Sequence, residues 1–89
     1  MKINQDFTIQ KVGASYVAVP IGETSKSFLG MIQLNETGAF LWHLMSEKDC
    51  TEEELIEAML AEYDVSREIV TEDVRKIVET LRDNGFFVE

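Results

Sequence analysis

The chain has 89 residues, 45% hydrophobic and 28% charged, a balance that fits one small globular domain and excludes a disordered chain. Its formal net charge is −9, and the whole excess lies beyond Ser46, because Asp6, Glu23 and Glu36 balance Lys2, Lys11 and Lys26 before it. An acidic second half repels polyanions, which argues against nucleic acid and anionic membrane surfaces as partners.

Phe7 to Val12 and Tyr16 to Ile21 are rich in β-branched and aromatic residues and flank Gly13-Ala14-Ser15. This pattern predicts a β-hairpin, with Gly13 supplying a positive φ in the turn. Pro20 lacks an N–H and belongs near a strand end or on an unpaired side. Gly22 to Lys26 reads as a loop, and Phe28 to Leu34 as a third strand with a bulge at Gly30.

Asn35 is placed to cap a helix running from Glu36 to about Ser46. Leu41, Trp42 and Met45 share one of its faces with Gly38, a residue costly inside a helix unless something packs against the backbone there. Thr51 with Glu54 three residues on forms a capping box that opens a second helix, and Cys50 is positioned to staple onto Leu55. The apolar stripe of that helix is Leu55, Ile56, Met59, Leu60 and Tyr63. A third helix starts after Asp64 or Ser66, with Val70, Val74, Ile77, Val78 and Leu81 as its stripe and Asn84-Gly85 as its end. Phe86, Phe87 and Val88 form an apolar tail that can fold back on the core. The expected class is α+β: one domain over 1–89, with three antiparallel strands followed by three helices.

Catalytic constellations are missing. His43 and Cys50 are the only histidine and the only cysteine, and they fall in different elements. A structural zinc needs about four ligands, so no metal or cofactor is expected. Glu52, Glu53 and Glu54 suit the positive end of a helix dipole and lack the ligand spacing of a calcium loop. A lone cysteine forms no intrachain disulfide and fits a reducing compartment. The N-terminus MKINQDFTIQ has no signal-peptide core, and no apolar run is long enough to span a bilayer, so a cytoplasmic location is expected.

The segment LNETGAFLW, then TEEELIEAMLAEYDV, then EDVRKIVETLRDNGFF resembles the PqqD-like family over nearly the whole chain. These domains are also called RiPP recognition elements, after ribosomally made and post-translationally modified peptides. The resemblance implies a winged-helix-like fold and a non-catalytic role. It implies that the leader of a precursor peptide binds beside the third strand and against the third helix. The implied partners are that leader and a modifying enzyme, often a radical SAM enzyme, in other cases a cyclase-type or adenylating enzyme. Carried onto this sequence, the strand edge is Met31, Ile32, Gln33 and Leu34, and the helix contributes Ile69, Val70, Asp73, Lys76 and Ile77. Ile32, Leu34, Val70 and Ile77 suit a core equally well, whereas Ile69 lies off the core stripe. The rival readings are a winged-helix DNA-binding domain and a protein-assembly domain. Against the first, the third helix carries Arg67, Arg75, Lys76 and Arg82 but also Glu68, Glu72, Asp73, Glu79 and Asp83, so it has no basic stripe.

Overall fold

The computed structural model describes residues 1–22 and 32–88, and within them three strands precede three helices. Strands β1 (Phe7–Val12) and β2 (Ser15–Pro20) pair antiparallel, with Phe7 opposite Pro20 and Val12 opposite Ser15. The turn between them is therefore Gly13-Ala14, one residue shorter than expected, and Gly13 takes a φ of +62°. Strand β3 (Ile32–Leu34) pairs antiparallel with β2, Tyr16 facing Leu34 and Ala18 facing Ile32. The remainder of the expected third strand, Phe28 to Met31 with its Gly30 bulge, lies outside the described residues.

Local chemistry fixes the helix ends. Helix α1 (Glu36–Glu47) starts where the Asn35 side chain accepts the Gly38 N–H at 2.9 Å. Helix α2 (Glu52–Glu62) has both halves of its capping box: Glu54 N–H donates to the Thr51 hydroxyl, and Thr51 N–H donates to the Glu54 carboxylate. Of the two candidate caps for helix α3 (Arg67–Asp83), Ser66 is the one used, accepting the Ile69 N–H at 3.3 Å. At the other end Gly85 has a φ of +77°, Phe86 N–H donates to Leu81 C=O, and Gly85 N–H donates to Arg82 C=O. Those two bonds are the Schellman pattern, and Phe86 and Leu81 supply its accompanying apolar residues.

The core lies between one face of the sheet and the helices. Ala18 and Leu34 contribute from the sheet, Leu41, Trp42 and Met45 from α1, Leu55 and Met59 from α2, and Val70, Val74, Val78 and Leu81 from α3. The tail does fold back: the Phe86 ring sits 4.4 Å from Phe7 and 5.5 Å from Trp42, centroid to centroid, and is fully buried. The residues before β1 close the same region. Ile3 bridges antiparallel to Phe87, and its N–H donates to Met45 C=O.

Gly38 lets α1 lie on β3. A Cβ built there would stand 3.3 Å from Leu34 Cβ, Leu34 Cδ2 and Asn35 Oδ1. Gly38→Leu is therefore expected to lower unfolding free energy by about 1–3 kcal/mol in urea titrations, through overpacking. Gly38→Ala should lose less, since only one methyl has to be accommodated. Phe86→Ala is expected to cost about 3–5 kcal/mol in the same measurement.

Candidate functional site

The sheet order is β1-β2-β3, and among the described residues no strand lies beyond β3. The register decides which of its peptide groups face outward. Ile21 N–H donates to Asp6 C=O at 2.7 Å, which makes that pair hydrogen-bonded. In an antiparallel ladder such pairs alternate with non-bonded ones. In β2, counting back from Ile21, Val19 and Val17 bond towards β1, while Ala18 and Tyr16 bond towards β3. Ala18 opposite Ile32 and Tyr16 opposite Leu34 are then the bonded pairs, and Gln33 turns its N–H and C=O to the open edge. The same count explains Pro20: the N–H it lacks would point to the β3 side. The Gln33 side chain lies over the face away from the helices, its Nε2 donating to the Ser15 hydroxyl at 2.9 Å.

A cleft runs from this edge to α3. One part, of about 350 Å³, is lined by Ser15, Gln33, Leu34, Asn35 and Ile77. A second, of about 190 Å³, is lined by Asn35, Thr37, Asp73, Lys76 and Ile77. Asn35 and Ile77 belong to both, so the two parts are continuous. The cleft has an apolar floor, Leu34 and Ile77, and a polar rim on which Asp73 and Lys76 carry opposite charges. Lys76 also pairs with Glu72 at 3.2 Å, an exposed contact of the kind typically worth about 0.3–0.5 kcal/mol.

The site residues expected from sequence fall into distinct groups. Gln33, Leu34, Asp73, Lys76 and Ile77 come together around the cleft. Ile32 neighbours it on β3, half-buried and packed against the core. Ile69 is 56% exposed and stands two turns N-terminal of Ile77. Val70 is 1% exposed, and Leu34 4%, so their side chains belong to the core. Met31 lies outside the described residues. Ser15, Asn35 and Thr37 line the cleft although sequence reading gave them no such place. Asn35 is absorbed there by its capping role, and Ser15 reaches the cleft only through the β2–β3 register.

The remaining reactive groups are not in this cleft's lining. His43 is exposed on α1. Cys50 is buried, and burial pushes its thiol above the usual range, away from the nucleophilic thiolate. Its Sγ faces the carbonyls of Lys48 at 3.5 Å and Leu44 at 3.6 Å. Among the described residues no three His, Cys, Asp or Glu side chains are grouped to hold a metal ion. No helix among them is long and apolar enough to cross a membrane.

Residues 22–86 match the profile of a family described as coenzyme PQQ synthesis protein D, PqqD. No curated protein matches the sequence. Among solved structures, TbiB1 in complex with the TbiA(beta) leader peptide superposes with a TM-score of 0.71 at 24% identity, covering 100% of both chains. A lasso peptide synthetase B1 complexed with its leader peptide superposes with a TM-score of 0.70 at 18% identity, covering 99% of this chain and 96% of the other. At these identities the likeness is one of fold.

The register makes a direct prediction for the free protein. In hydrogen exchange followed by NMR, the Gln33 amide should exchange faster than those of Ile32 and Leu34, which are bonded into the ladder. Equal protection of all three would refute the outward orientation of Gln33.

Proposed function

The chain belongs to the PqqD family, and from that premise we propose that it is a non-catalytic domain that captures the leader of a ribosomal precursor peptide and presents it to a separate modifying enzyme. The observation that carries this reading is the outward peptide group of Gln33 beside a cleft walled by α3. An exposed strand edge offers unpaired N–H and C=O groups. An extended peptide satisfies them by adding a fourth strand, while side-chain pockets supply selectivity. The two structural neighbours are themselves leader-peptide complexes, which supports the same ligand class here.

In this reading Gln33 supplies the main-chain pairing, and Met31, Ile32 and Leu34 belong to the same edge. Ile77 and Ile69 receive apolar leader side chains, with Val70 supporting them from beneath. Asp73 and Lys76 hold polar groups at the rim. The partner takes up the chemistry; a radical SAM enzyme is one class the family resemblance implies. This chain itself provides position and local concentration, which is sufficient when the reactive centre lies on another protein. A cytoplasmic location accords with a lone buried thiol and a soluble peptide substrate.

The test uses the full chain and a synthetic leader of the short precursor encoded beside its gene. Gln33→Pro deletes the outward N–H and should weaken leader binding by about three- to tenfold, whereas Gln33→Ala keeps the N–H and should bind nearly as wild type. Ile69→Glu should weaken binding by several-fold. Added salt should weaken it only partly, because main-chain bonds and apolar contacts are screened little. Leader-induced amide shifts confined to the β1–β2 turn or to α2 would sink this assignment. So would peptide modification by the chain alone.

A further inference from the structure

A separate pocket of about 510 Å³ opens at the turn end of the sheet, lined by Lys11, Gly13, Ala14, Tyr16 and Glu36. It is next to the cleft already described. Ser15 and Asn35 line the cleft, and their chain neighbours Ala14, Tyr16 and Glu36 line the pocket. At about 3.3 Å per residue, a few residues of extended peptide reach from one to the other.

The polar groups of this pocket select one sign of charge. Glu36 has no ion-pair partner among the described residues, and neither has Lys11. Glu36 is fixed on the first turn of α1, whereas Lys11 carries its charge on a long exposed side chain at the rim. Tyr63 reports a second carboxylate nearby: its hydroxyl is held above the usual range by burial, and further by Glu36, Glu62 and the Tyr16 hydroxyl. Two carboxylates and one ammonium leave the locality negative. The helix end itself does not call for an anion. Asn35 Oδ1 already accepts the Gly38 N–H and the Thr37 hydroxyl, each at 2.9 Å.

The geometry points to a second subsite, in which the Glu36 carboxylate and the Tyr16 ring hold an arginine or lysine side chain of the bound peptide. This inference rests on the peptide-binding reading above and adds the position and charge of one ligand residue. The cation comes from the flank of the leader that leaves the strand at Leu34. A carboxylate and an aromatic ring together suit a guanidinium or ammonium group. Lys11 competes for Glu36 when the subsite is empty.

The pocket can be tested apart from strand addition with two small probes on the full chain, N-acetylarginine amide and N-acetylglutamate amide. The arginine probe should shift the amide resonances of Gly13, Ala14, Tyr16 and Glu36, and the glutamate probe should not. Glu36→Gln should weaken arginine binding about two- to fivefold, and Lys11→Gln should tighten it by a similar factor. A stronger response to the glutamate probe, tighter arginine binding in Glu36→Gln, or no response to either probe would overturn the subsite. With the cognate leader, Glu36→Gln should reduce affinity while the leader-induced shift at Gln33 persists. Unchanged leader affinity in Glu36→Gln overturns the subsite alone, whereas a leader that fails to bind the wild-type chain overturns the function proposed above.

Discussion

The buried ring of Phe86 ties the architecture together. It follows the left-handed Gly85 that ends α3, and it packs against Phe7 of β1 and Trp42 of α1. One side chain thus joins the end of the last helix to the first strand and the first helix. A ring of this size removes much apolar area from water, and its contacts are made at close-packed density. The position of α3 depends on that anchor, and α3 is one wall of the cleft. The other wall depends on Gly38, where the missing side chain lets α1 approach Leu34 and Asn35.

What these two contacts leave between them is an edge that the fold does not cover. Open strand edges invite unwanted pairing, and proteins usually blunt them with charge, proline or bulges. In β3 the residue facing outward is an uncharged glutamine. The protein's excess negative charge sits elsewhere, beyond Ser46, in the part of the chain that forms α2 and α3. That segregation lets copies of the chain repel one another in solution while a peptide meets an edge without strong charge of its own.

Much of this was legible because it is local. A capping box, a serine cap and an Asn-Gly helix end are each satisfied within a few residues, so their signals survive in the sequence. The hairpin was equally plain, although its turn is tighter than the Gly-Ala-Ser string suggested: Ser15 pairs with Val12 and joins the strand. Contacts distant along the chain left little trace. Nothing near Ile3 announces its bridge to Phe87. In the candidate site, helical periodicity placed Val70 and Ile69 on adjoining faces but could not say which would be covered; packing buries Val70 and leaves Ile69 exposed. Asn35 showed one role, capping, and its second, lining the cleft, comes only from how β3 meets α3.

The bridge between Ile3 and Phe87 has a kinetic meaning. It joins segments at opposite ends of the folded chain, so nearly every residue must be synthesised before it can form. Closing so long a loop carries a large entropic penalty, and contacts of this separation form late and slowly. On the ribosome, the hairpin and α2 have the local signals to organise while translation continues. The pairing with Phe87, and the burial of Phe86 that accompanies it, must wait until the last turn of α3 has cleared the exit tunnel. Completion of the domain is therefore a post-translational event, and a nascent chain stalled before residue 86 would present an unsealed core.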